Sequence, residues 1–297
     1  MSKIKKIDIH VHSRKIRSIL RLTNNKTYAL PREIREIYKR WGIEKGVLLT
    51  RTSPEMHFHV QTNEQAMELA RDNSDILWWF MDLHPKMGMN SIDTDFSYFI
   101  NYYKQFGVKG VGELTANMKI DDPLTMNLFK HCEKCNMPTT IHIAEQIGGM
   151  YGLVDKFELP GLTNVLETYP NLKILGHSTC FWSHIGKNVT KDNWNQYVNG
   201  KVNPGILVDM FYKYPNLLGD LSAGSGNNAI MRDEEFGLWF LDEFQDRLYF
   251  GTDLSSADLY FEFPFWLDRK YEEGKLSKVA YEKICRYNAL KLLGEKE

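Results

Sequence analysis

Residues 6–13 read KIDIHVHS, with apolar side chains alternating with polar ones and two histidines one residue apart near the end of the run. A period of two is the signature of a β-strand, whose successive side chains leave opposite faces. On that parity Ile7, Ile9 and Val11 face a helical layer, while Asp8, His10 and His12 face the other side. The two histidines then have Cα atoms about 6.6 Å apart, a gap that imidazoles close around one cation.

Seven further runs rich in β-branched, apolar or aromatic residues follow at 45–51, 76–83, 108–114, 138–144, 172–178, 217–223 and 247–254. The intervals carry helix signals. Pro31 opens REIREIYKRW ahead of Gly42, Thr62 and Gln65 have capping-box spacing, and Asp122–Pro123 begins LTMNLFKHCEKC. Ser277 begins a last helix, in which Val279, Ile284, Ala289, Leu290 and Leu293 form an apolar stripe. Strands alternating with helices indicate parallel βαβ units, hence an α/β protein with a (β/α)8 TIM barrel as a single domain over residues 1–297.

Such barrels keep their chemistry at the C-terminal ends of the strands. There the sequence places Glu113 in GVGEL, His142 in TTIHIA, His177 in ILGHS and Asp253 in FGTD, besides His10 and His12. Imidazoles and carboxylates inside a barrel must be paired, hydrogen-bonded or metal-bound, because an isolated buried charge is too costly. A divalent ion explains all six together. The mixed nitrogen and carboxylate donors suit Zn²⁺, with Mn²⁺ or Fe²⁺ as alternatives, better than the all-oxygen sites of Mg²⁺ and Ca²⁺.

Position, rather than spelling, carries that signal. His57-Phe58-His59 repeats the HxH pattern but follows Pro54 beyond the second strand, so it reads as a pair of loop histidines or as a pocket edge. His84 is read the same way, His131 as a helix-surface residue and His184 as a loop residue. Cys132-x-x-Cys135 has no second closely spaced pair, so the four cysteines are read as reduced thiols rather than a zinc site or a disulfide framework.

These residues, in this order, make the chain resemble the amidohydrolase superfamily of metal-dependent β/α barrels. Asn63, GTD at 251–253 and the closing YNALKLLG at 287–294 look like its amidohydrolase-2 branch, which also includes aminocarboxymuconate-semialdehyde and resorcylate-type decarboxylases. Glu113 departs from the carboxylated lysine of many amidohydrolases and is similar to the GE motif of TatD-like deoxyribonucleases and some phosphotriesterase-like proteins. The resemblance implies one of two ligand sets. With two ions, His10, His12 and Asp253 hold one, His142 and His177 hold the other, and Glu113 bridges them. With one ion, His10, His12, His142 and Asp253 bind it while His177 polarises substrate or moves protons. Asp253 is the candidate to take a proton from the attacking water, and the resemblance also implies a homodimer.

Substrate contacts are sought in the longer loops. Trp182, beside Phe181, either walls the pocket or packs beneath the long segment after strand six. Arg232 either clamps a substrate carboxylate or pairs with Asp233 or Glu234, Arg51 is a further anion contact, and Asp220 orients a ligand. The formal net charge of −1 over 297 residues provides no global field for nucleic acid. No run reaches the roughly 18 apolar residues of a membrane span, and the chain is read as cytoplasmic with a small-molecule partner. The reading is a metal-dependent hydrolase of a small amide, lactone or ester. Alternatives are a zinc-dependent non-oxidative decarboxylase of an aromatic or unsaturated acid, a TatD-like nuclease, and a non-catalytic metal-binding barrel.

Overall fold

The computed structural model describes residues 3–296. Nine strands run through it: β1 (Lys6–Val11), β2 (Ile43–Leu49), β3 (Leu77–Phe80), β4 (Val111–Leu114), β5 (Thr139–Ala144), β6 (Leu153–Val154), β7 (Ile174–His177), β8 (Leu217–Asp220) and β9 (Leu248–Tyr249). Helices α1 (Pro31–Trp41), α2 (Asn63–Asp72), α3 (Phe96–Lys104), α4 (Pro123–Lys134) and α5 (Pro160–Thr168) occupy the first half of the alternation. A short α6 (Thr179–Trp182) and then α7 (Ile206–Lys213), α8 (Ala223–Met231), α9 (Glu234–Glu243) and α10 (Phe263–Glu272) continue it. The chain ends in α11 (Lys278–Glu282), a π-helical turn (Lys283–Tyr287) and α12 (Asn288–Leu293).

All strand pairs are parallel, in the orders β1-β2-β3 and β4-β5-β7-β8-β9, with β6 a side branch on β5. Backbone hydrogen bonds span both seams. Between β3 and β4, Met81 N donates to Gly110 O (3.0 Å) and Gly112 N to Met81 O (2.7 Å). Between the residues after β9 and β1, Ile9 N donates to Phe250 O (2.9 Å), Asp253 N to His10 O (2.8 Å) and His12 N to Leu254 O (2.9 Å). The eight principal strands therefore ring a (β/α)8 barrel.

The barrel interior is one apolar cluster, to which Ile7, Ile9, Val47, Leu49, Phe80, Leu175, Leu218 and Tyr249 contribute from six strands. Each such aliphatic or aromatic side chain removed from water stabilises the fold by roughly 1.5–3 kcal/mol. Ala289, Leu290 and Leu293 of α12 join the cluster, and the expected stripe is met there, except that Val279 is exposed on α11. Arg286 donates to the Lys5 carbonyl and pairs with Glu44, and Glu295 pairs with Lys109, so this last helix lies over the end where strands begin. The other end is left for the site.

Strict alternation fails in β1, and the reason is a bulge. Ile7 and Ile9 face the barrel interior, not the helices. Lys6 and Asp8 face outward, Lys6 pairing with Asp268 of α10 at 2.6 Å and Asp8 accepting from the Tyr38 hydroxyl of α1 at 2.8 Å. The β1–β2 register shifts between Asp8 and Val11. One extra residue there resets the parity, so Val11 joins the helix-side cluster and His10 and His12 turn inward after all. Gly46 on β2 makes room for the outward contact, since a Cβ there would sit 2.1 Å from the Tyr38 hydroxyl. No helix among the described residues is long and apolar enough to cross a membrane.

Candidate metal centre

Hydrogen bonding determines what each imidazole of the first strand offers. His12 Nδ1 donates to the Leu49 carbonyl (2.9 Å), and His10 Nδ1 donates to Asp220 Oδ2 (2.7 Å). Both Nε2 atoms are left as lone pairs, yet they lie 3.1 Å apart. Asp253 Oδ1 stands 3.2 Å from His12 Nε2 and 3.5 Å from His10 Nε2. Three electron-rich atoms this close require a proton or a cation between them. Donors at these separations, each about 2.1 Å from a common ion, subtend roughly 95–115° at it, close to the tetrahedral angle favoured by Zn²⁺. The donor set fits a divalent metal.

Charge bookkeeping agrees. Glu113 and Asp220 are fully buried, Asp253 has a side chain 24% exposed, and the one permanent cation among them is Arg51, 7% exposed. Three carboxylates against one guanidinium leave two uncompensated negative charges, the complement of a divalent ion. The acids also act on their neighbours. Burial would depress His10, but Asp220 and then Asp253 hold it well above the ordinary histidine range. Burial would raise Asp253 and Glu113, but His10 and His12 keep the first, and Arg51 keeps the second, well below the usual carboxylate range.

Glu113 is the hub of the second half. Its Oε2 pairs with Arg51 and lies 3.6 Å from Nε2 of both His10 and His12, while its Oε1 accepts from His142 Nδ1 at 2.6 Å. Gly112 permits this approach, because its φ is +126° and a Cβ would sit 2.5 Å from the Thr140 carbonyl oxygen. His142 groups with Glu113 and His177, rather than with His10, His12 and Asp253. His177 Nδ1 donates to Ser222 Oγ (3.0 Å) and has Asp220 Oδ2 at 3.5 Å. Burial first, and His10 second, push its pKa down to about 4, so it is neutral. Solvent meets this assembly at Asp253 and at His142, whose side chain is 18% exposed.

A second tier closes around Arg51. Its guanidinium lies 3.0 Å from His12 Nε2 and 3.2 Å from His57 Nε2, and 5.0 Å from the Tyr151 ring centroid. The Tyr151 ring in turn packs at a tilt against those of His142 (4.5 Å between centroids) and His57 (5.5 Å). Burial, then Arg51, push His57 down to about 3. Arg51 was legible by parity, as it continues the inward series Val47 and Leu49. Tyr151 lies in a loop with no periodic signal.

Two buried aspartates that act behind the ligands were not singled out as site residues. Asp8 accepts from His10 N, Thr252 N and Thr252 Oγ1 (3.0, 2.8 and 2.6 Å), tying the first histidine to the residue before Asp253. Asp82 accepts from Thr52 N and Oγ1 (2.6 and 2.8 Å) behind Arg51, and Asn63 brackets the Asp82 backbone with two 2.9 Å bonds. Burial raises both aspartates to about 6. A charged residue in an apolar strand is itself a signal that a partner exists, but the sequence does not name the partner.

Other expectations are corrected. Trp182 does not wall the pocket: it is 1% exposed, stacks on Phe211, meets Phe240 edge to face, and donates from Nε1 to the Asp220 carbonyl (2.8 Å). Arg232 pairs with neither Asp233 nor Glu234; its Nη1 donates to the Val198 carbonyl (2.7 Å), Asp233 takes Lys201 and Glu234 takes Lys270 and Lys275. His131 is buried rather than on a helix surface, bonded to Ser97 Oγ (2.6 Å), and His184 is a core residue bonded to Cys180 O and Glu158 N. All four cysteines are buried free thiols. His84 pairs with Glu55 (3.2 Å) at the rim.

Solved structures share this fold. A putative 2-pyrone-4,6-dicarboxylic acid hydrolase from Pseudomonas putida superposes with a TM-score of 0.60 at 15% identity, covering 100% of both chains. A dihydroxybenzoic acid decarboxylase from a Polaromonas species, with bound manganese and the inhibitor 2-nitroresorcinol, gives 0.59 at 15% identity over 98% of this chain and 97% of that one. An amidohydrolase II structure gives 0.60 at 14% identity over 98% and 100%. The chain shares their fold. One of these neighbours bears the name amidohydrolase II, the branch that the sequence resembles. No family model matches the sequence, and no curated protein matches it.

Proposed function

We propose that the chain is an enzyme, a metal-dependent hydrolase of a small lactone, ester or amide, with one divalent ion held by His10, His12 and Asp253. The tripod of lone-pair atoms 3.1–3.5 Å apart, open to solvent over Asp253, is the observation that carries this reading. Arg51 on Glu113 disfavours a second ion beside it, which argues against the two-ion arrangement. Zn²⁺ is the preferred ion on donor chemistry. When bound, such an ion polarises the scissile carbonyl and lowers the pKa of water toward neutrality.

The chain's own residues do the rest. Asp220 and Ser222 hold His10 and His177 by their Nδ1 atoms, so both rings present Nε2 to the site. Asp253 accepts the proton of the attacking water and returns it to the leaving oxygen or nitrogen, while neutral His177 presents its unprotonated Nε2 to the site as a hydrogen-bond acceptor. Arg51 keeps Glu113 charged, and Tyr151 covers both.

Metal analysis and turnover of a lactone, ester and cyclic-amide panel test the proposal. One equivalent of metal is expected, with loss of metal and turnover in His10→Ala and loss of turnover in Asp253→Asn. Activity that survives both substitutions or exhaustive chelation rules it out. Arg51 beside His12 also suits a carboxylate substrate, which supports decarboxylation as the second reading. Release of carbon dioxide without incorporation of solvent oxygen distinguishes it.

A further inference from the structure

The residue that follows HVHS buries a cation with no anion to meet it. Arg14 is 2% exposed. Its Nη1 donates to the Ser13 carbonyl and to Gln61 Oε1, both at 2.9 Å, and its Nη2 to the His59 carbonyl at 3.2 Å. All three acceptors are neutral, and Nε has no partner. The guanidinium carbon lies 4.0 Å from the centroid of the Tyr28 ring, and that of Arg21 lies 4.7 Å from the same centroid. A neutral acceptor satisfies an N–H, but only an anion also offsets the buried charge.

Arg14 lines a cleft of about 230 Å³ together with Lys15, Ile16, His59 and Gln61. At about 30 Å³ per water-sized group that is room for roughly seven such groups. A second orphan borders the same space, because His59 Nδ1 is buried and has no partner. The carboxylate on this cleft, Glu68, stands at the rim with a side chain 47% exposed, 3.8 Å from Lys15. Nothing negative reaches the inner wall among the described residues.

We propose that this cleft is a pocket for a small oxyanion, a carboxylate or phosphate, with Arg14 and His59 as its inner contacts and Lys15 at its rim. Tyr28, 6.3 Å from the His12 ring, separates it from the metal centre. The oxyanion has two sources: the distal acid group of the substrate, or a separate small anion. The first source rests on the hydrolase reading, and the pocket itself does not.

Calorimetric titration of the full-length metal-loaded protein with succinate and with inorganic phosphate tests it. Saturable binding of at least one anion is expected, weakened at least tenfold by Arg14→Lys and by His59→Ala. Arg14 also holds two loops together, so circular dichroism accompanies that variant. His59→Ala leaves the backbone carbonyl that Arg14 uses and decides the matter if Arg14→Lys does not fold. No saturable binding of either anion, or binding undiminished in the folded variants, overturns the proposal. So does binding that vanishes on chelation yet survives both substitutions, since it places the anion on the metal. Competitive inhibition of lactone turnover by the bound anion marks a substrate tail, and binding that leaves the kinetic constants unchanged marks a separate ligand. A panel with no turnover sinks the hydrolase reading while leaving the titration intact.

Discussion

Replacing Arg51 with Met removes the one guanidinium that faces Glu113 and leaves a carboxylate of zero exposure, 3.6 Å from the Nε2 atoms of His10 and His12. His142 Nδ1 is then its sole remaining close donor. Removing one partner of a buried ion pair costs about 3–5 kcal/mol, chiefly because the other charge stays buried. Glu113→Gln alone has the mirror effect on Arg51. The double variant Arg51→Met with Glu113→Gln has no orphaned charge, and it should recover about 2–3 kcal/mol relative to the sum of the singles. Urea unfolding of the metal-free proteins measures all four corners of this cycle without interference from bound metal. Additivity within about 0.5 kcal/mol would show that the two groups do not neutralise one another, and the charge argument for a single divalent ion would fall with it.

Acid should weaken the fold through His184, which burial lowers from 6.5 to about 4. The unfolded chain takes up this proton near pH 6.5 and the folded one only near 4, so the contribution is whole above 6.5 and is lost as pH falls between the two. The loss amounts to about 3 kcal/mol, and urea midpoints of His184→Gln should be flatter across that window; parallel curves refute the assignment. Asp220→Asn weakens the hold on His10 and His177 and should lower metal affinity about 10–100-fold. Competition with a chromophoric chelator measures this, and an unchanged affinity removes Asp220 from the orienting role. Gly46→Ala sets a Cβ against the Tyr38 hydroxyl and should break its bond to Asp8. A destabilisation of about 1–3 kcal/mol follows from overpacking, and a neutral result in thermal unfolding would mean that the ring simply moves aside.

Much of the site was open to reading because strand parity is local. His142 lies between Ile141 and Ile143, which face the helices, and Arg51 continues Val47 and Leu49, which face the interior. At β1 the same logic reached the right histidines by a wrong route, since it placed Ile7 and Ile9 among the helices. A bulge is a relation between two strands, and a one-dimensional pattern does not contain it. Trp182 shows the opposite limit. An aromatic side chain close to a ligand in sequence was equally compatible with pocket and core, and its bond to the Asp220 carbonyl places it in the core.

By itself the sequence determined the alternation of strands and helices and the six side chains whose donor atoms gather at one end of the barrel. These depend on periodicity and residue type, which neighbours along the chain supply. Only the tertiary structure decided how those donors divide: His10 and His12 turned toward Asp253, Glu113 claimed by Arg51 and His142, and Asp220 reaching the His10 ring from 210 residues away as well as that of His177. It also decided that Arg14 is buried without a counter-charge. Tautomer, ion pairing and charge balance are set by distances of a few ångströms between residues remote in the chain, and those distances exist only after the barrel has closed.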